Sequence, residues 1–65
     1  MDISKNIIKY MNKNKIHSIR QLSIVSEVPY STLKKIMQEK NNDIMLSTAI
    51  RLSKALNISV EQLVK

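Results

Sequence analysis

The sequence predicts an all-α domain of five short helices. Apolar residues recur at helical spacing along the whole chain, and no run alternates with the two-residue period of a strand. A serine followed three residues later by a glutamine occurs at Ser18/Gln21 and again at Ser59/Gln62, the spacing of a capping box that starts a helix. Pro29 and Asn57 stand where helices should end. Proline lacks an N–H and pushes the preceding Val28 out of the helical region, and asparagine is the usual substitute for glycine in a left-handed C-terminal turn.

The elements follow in order. The first helix should run from Ile3 to Asn12 or Lys13, with Ile8 and Met11 paired at i, i+3 and Ile7 and Met11 at i, i+4. A polar NKNK connector leads to a second helix, about 18–26, in which Leu22 and Val25 share a face. A third, Tyr30 to Gln38, sets a new apolar stripe on Leu33 and Ile36. The segment EKNND (39–43) reads as a polar loop, and a fourth helix should span about Ser47 to Leu56 on Ala49, Leu52 and Leu56. A short last helix, Val60 to Val64, completes one domain over residues 1–65, without repeats or a linker. The expected core is Ile8, Met11, Leu22, Val28, Leu33, Ile36, Leu52, Leu56 and Leu63.

Composition narrows the function classes. A chain of 65 residues buries only about 60% of its unfolded surface, so it needs a tight helical core or an oligomeric partner. It has no cysteine, no glycine, one histidine and five acidic residues, which leaves little material for a metal site, a phosphate-cradling loop or a catalytic constellation. We expect no enzyme activity, no cofactor and no small-molecule ligand. No apolar run is long enough for a membrane span and the start, MDISKNIIKY, lacks the apolar segment of a signal peptide, so a soluble cytoplasmic protein is expected. Eleven lysines and arginines against those five acids give a net charge of +6 and a pI near 9.9, scattered from Lys5 to Lys65. Nucleic acid is the commonest partner of such a surface.

Residues 18–38, SIRQLSIVSEVPYSTLKKIMQ, read as two short helices joined by a tight turn, the pattern of a helix-turn-helix whose second helix enters a DNA groove. On a helical wheel Ser31, Lys34, Lys35 and Gln38 lie opposite the Leu33/Ile36 stripe, with Tyr30 at its leading edge. A hydroxyl, two ammoniums and an amide there suit phosphates and base edges.

Those residues resemble the phage-repressor or Cro-like helix-turn-helix family, also called the xenobiotic-response-element family. Its helix pair has a pattern like S-x-x-x-L-A/S-x-x-x-G-V-x-x-S-T-L/I-x-x-I, met here by Ser18, Leu22, Ser23, Val28, Ser31, Thr32, Leu33 and Ile36. A second signature, T-L-x-K-I-A-x-A-L-x-V-S-x-x-x-L, is met by Thr48, Leu52, Ser53, Ala55, Leu56, Ile58, Ser59 and Leu63. The resemblance covers nearly the whole chain. It departs at Glu27, where the family usually has glycine and where a left-handed turn is needed. It departs also at His17, where the family often has leucine or isoleucine and Ile16 can supply the apolar contact, and at Asn12, where many members carry a phosphate-contacting arginine.

The resemblance implies a compact five-helix, lambda-repressor-like domain that binds double-stranded DNA through residues 18–38. Tyr30, Ser31, Lys34 and Lys35 would read bases, and Thr32 would fix the start of the recognition helix. Ser18 and Ile19, at the positive end of the preceding helix, with Lys15, Arg20, Gln38 and Lys40, would contact phosphates. Val60, Leu63 and Val64 would form a two-fold dimer contact or close the monomer core. The implied role is a transcriptional regulator, most simply a repressor acting as a homodimer on DNA. The alternative is a protein-binding adaptor that reuses the fold, as in a toxin–antitoxin or mobile-element complex.

Overall fold

The computed structural model describes residues 3–38 and 44–65 and folds them into α1 (Ile3–Lys13), α2 (Ile19–Ser26), α3 (Tyr30–Gln38), α4 (Leu46–Leu56) and α5 (Val60–Val64). The fold is all-α, as the sequence predicts, and α4 begins one residue before the expected Ser47. The expected loop at 39–43 lies outside the described residues.

One cluster holds the helices together. It comprises Ile3, Ile7 and Met11 of α1, Ile16, Leu22 of α2, Val28, Leu33 of α3, Ala49, Leu52 and Leu56 of α4, and Leu63 of α5. Two expectations are corrected here. Ile8 is not core: it is 48% exposed, because α1 turns its i, i+4 row of Ile3, Ile7 and Met11 inward and Ile8 projects about 100° away from Ile7. Val25, expected to share a face with Leu22, is 51% exposed, and Ser26 takes the buried place one turn beyond Leu22. Ile36 is half-buried against the cluster. Leu63 is fully buried within its own chain, so it closes the monomer core and has no surface left for the dimer contact also considered for it.

The helix ends show how a chain without glycine turns its corners. Among the described residues three take the left-handed conformation: Lys15 (φ 58°), Glu27 (φ 61°) and Asn57 (φ 59°). After α1, the Ile16 N–H donates to the Met11 carbonyl at 2.9 Å and the Lys15 N–H to the Asn12 carbonyl at 3.3 Å, while Ile16 and Met11 are both buried. That is a Schellman turn with its apolar contact. After α4, Ile58 N–H to Ser53 carbonyl (2.9 Å) and Asn57 N–H to Lys54 carbonyl (3.2 Å) repeat the pattern. Two asparagine side chains then join distant ends: Asn14 Nδ2 donates to the Leu56 carbonyl at 2.7 Å, and Asn6 Nδ2 to the Leu63 carbonyl at 2.8 Å.

At the helix starts, Ser59 and Gln62 form the full capping box expected of them. Ser18 Oγ accepts from the Gln21 N–H at 3.0 Å, as expected. The Gln21 side-chain Oε1, however, accepts from the His17 N–H at 2.9 Å, one residue before the cap. His17 thus takes part through its backbone, and its side chain stays exposed. The apolar place beside it is filled by buried Ile16, as the sequence suggested.

Side-chain hydrogen bonds also support the turn between α2 and α3. Glu27 N–H donates to the Ser23 carbonyl at 2.9 Å, closing α2. The Ser23 hydroxyl donates to the Val28 carbonyl at 2.6 Å, and the Ser26 hydroxyl donates to the Leu22 carbonyl at 2.6 Å. Ser26 Oγ also accepts from the Val28 N–H at 3.3 Å, so a buried hydroxyl satisfies a buried amide. From α4, Arg51 Nη1 donates to the Glu27 carbonyl at 3.2 Å. Val28 then drops into the core and Pro29 leads into α3, where the Leu33 N–H bonds the Pro29 carbonyl at 3.1 Å.

Two substitutions test this turn. A left-handed non-glycine residue costs about 1–2 kcal/mol, partly offset by glycine's larger entropy in the unfolded chain. Glu27→Gly should therefore raise stability by about 0.5–1 kcal/mol in urea denaturation, and a loss would show that the Glu27 side chain itself supports the fold. Ser26→Ala orphans the Val28 amide and should cost about 1–3 kcal/mol by the same measurement.

Candidate nucleic-acid interface

The helix pair presents the polar residues on one surface. In α3, Leu33 is fully buried, so the opposite side of the helix faces solvent. Ser31, Lys34, Lys35 and Gln38 are all exposed there, and Tyr30, the first residue of α3, is 40% exposed. Thr32 is half-buried between this face and the core. Between Ser18 and Gln38 the charges are Arg20, Lys34 and Lys35 against Glu27, and Glu27 sits in the turn rather than on the α3 face.

The start of α2 lies beside this surface. Ser18 is exposed, and its hydroxyl is engaged by the Gln21 amide. The remaining first-turn amides and the helix dipole make that end electropositive. Ile19 is half-buried with its side chain packed on the core, so what it can offer an anion is its backbone N–H. An open groove brings Ser18 and Ile19 together with Asn12 of α1 and Met37 of α3. The foot of α2, the end of α1 and the far end of α3 therefore border one depression. Its lining there includes the exposed amide of Asn12, where an arginine stands in many proteins of the type resembled, and the exposed Ile8.

Arg20 points across the turn toward α3. Its guanidinium carbon lies 5.3 Å from the centroid of the Tyr30 ring, a cation–π contact between the first turn of α2 and the first residue of α3. Of the other expected contacts, Lys15 is exposed in the left-handed turn that ends α1. Lys40 lies outside the described residues. Val60 and Val64 of α5 are half-buried and pack on the core over the fully buried Leu63.

Sequence reasoning missed Arg51, Ser23 and Ser26 as supports of the turn that leads into α3. Ser23 was legible only as a match to a pattern, and Arg51 reaches the turn from 24 residues away, a separation that no local spacing reveals. Ser26 carried one signal that could have been used: it stands at i+4 from Leu22, on the face that α2 buries.

No helix among the described residues is long and apolar enough to cross a membrane. No curated protein and no solved structure gives a significant match to the chain. A family model does: the Cro/C1-type helix-turn-helix DNA-binding domain matches residues 6–65, from the first half of α1 to the last residue. With the all-helical fold and the serine-supported turn between α2 and α3, this match makes the chain a member of the Cro/C1-type helix-turn-helix DNA-binding family.

Proposed function

We propose that the chain is a sequence-specific regulator of transcription that lays α3 in the major groove of double-stranded DNA and represses by occupying a promoter. The observation that carries this reading is the exposed row Ser31, Lys34, Lys35 and Gln38 on the side of α3 opposite fully buried Leu33. Packing thus fixes which face of α3 is free, and that face bears donors suited to phosphates and guanine edges. Tyr30, Ser31 and Lys35 are the proposed base readers, with Lys34 reaching a base or a phosphate. The amides at Ser18 and Ile19, with Lys15, Gln38 and Lys40, are the proposed phosphate contacts. The net charge of +6 supports rapid, salt-sensitive association.

A homodimer on DNA belongs to the same reading, with half-sites about one helical turn apart. With Leu63 withdrawn into the core, α5 retains Val60 and Val64 for such a contact. A second reading, in which the fold meets a protein, has one observation in its favour. Ile24 and Met45 are each 73% exposed and Leu46 is 70% exposed, so three large apolar side chains are left to solvent.

Fluorescence anisotropy separates the two. With DNA from upstream of its own gene and a scrambled duplex, at two salt concentrations, the regulator should prefer the native duplex and keep that preference at the higher salt. Equal binding to both duplexes, lost with salt, would count against it and favour the protein partner. On a preferred duplex Lys35→Ala should cost about 1–3 kcal/mol and relax preference at one base pair. An equal loss on matched and scrambled DNA would assign Lys35 to phosphate.

A further inference from the structure

We propose that Arg20 is a specificity-determining residue: Tyr30 holds its guanidinium at the head of α3, and the pair reads a guanine at the edge of the bound site. The proposal rests on the reading of α3 as the DNA-facing helix. Sequence alone places Arg20 among the phosphate contacts, since it stands near the start of α2, ten residues before Tyr30. The turn at Glu27 changes that. It folds α3 back so that the guanidinium carbon comes within 5.3 Å of the Tyr30 ring centroid.

The pair has little to do for folding. Arg20 is exposed and Tyr30 is 40% exposed, so neither side chain belongs to the core. An exposed cation–π contact adds only a small increment to stability. Nor is the guanidinium committed to a carboxylate among the described residues. The acids there are Glu27, at the opposite end of α2, and Glu61, on α5. Tyr30 is the partner that the described structure gives it.

What the contact does is orient. An arginine laid on an aromatic ring has part of its rotamer freedom already removed. Its planar fork of N–H donors is then pre-formed for a pair of acceptors in one plane. Guanine presents such a pair, O6 and N7, in the major groove. Tyr30 is the first residue of α3, and the first turn of a recognition helix lies nearest the base edges. A guanidinium held there is placed at the margin of the base-reading surface rather than out along the DNA backbone. Lysine at the same place would keep the charge and lose the fork.

Selection from a library of random duplexes tests the pair, with the wild-type chain and the variants Arg20→Lys, Tyr30→Leu and Tyr30→Phe. Thermal melts near wild type are expected for all three, because both positions are exposed. The wild type should enrich a motif with a guanine at its edge. Arg20→Lys should lose about tenfold in preference for that guanine and keep the rest of the motif. Tyr30→Leu should lose the same guanine, and Tyr30→Phe should keep it. An unchanged motif for Arg20→Lys, or a loss shared equally by all duplexes as for a phosphate contact, would overturn the proposal. Failure of the wild type to enrich any sequence would overturn it together with the DNA-binding reading beneath it, so the two failures are told apart.

Discussion

The structure depends on the left-handed turn at Glu27, made in a chain that has no glycine. The chain leaves α2 toward α3 through that residue, and φ there is 61°, in a region where a Cβ is crowded. The strain is held by neighbours rather than avoided. Ser23 and Ser26 bond the backbone on either side of the turn, and Arg51 reaches across from α4 to the Glu27 carbonyl. Val28 completes the lock by burying its side chain immediately afterwards. A turn fixed at both its polar and its apolar ends leaves α3 one orientation, with Leu33 inward and the lysines outward.

Much of this was legible because it is local. Capping boxes, a proline stop and a left-handed asparagine are signals within three or four residues, and they located the starts of α2 and α5, the break between α2 and α3, and the end of α4. The left-handed Glu27 was legible too, from the place where a glycine usually stands. The failures were choices between neighbouring faces. Ile7 and Ile8 are equally apolar, and only the packing of α1 on α3, α4 and α5 selects Ile7. Val25 and Ser26 both stand about one turn beyond Leu22, and the small hydroxyl takes the buried place, where it satisfies Leu22 and Val28 at once. The asparagines that tie α1 to α4 and α5 depend on partners far along the chain, and the left-handed Lys15 closes a local turn with no glycine to mark it.

The candidate site divides in the same way. The polar face of α3 could be read from a helical wheel, since it needs only the period of one helix. The pairing of Arg20 with Tyr30 could not, because it exists only once the turn brings two helices together. The role considered for Leu63 shows the converse: a residue that fits two sequence-level readings is assigned to one by burial. In so small a domain, a side chain used to close the core is lost to any partner. The surface that remains is basic where it meets the proposed DNA and apolar at Ile24, Met45 and Leu46.

The central claim is that the start of α2 and the outer face of α3 are the surface that meets DNA. Mapping backbone amide chemical shifts by NMR during titration with a duplex tests it most directly, and nonspecific DNA suffices. The account predicts the largest changes at Ser18, Ile19 and Arg20 and along Tyr30, Ser31, Lys34 and Lys35, with little change at Ile3 and Ile7 of α1 or at Leu63 of α5. Changes centred on α5 or on the first half of α1, with α3 silent, would contradict it.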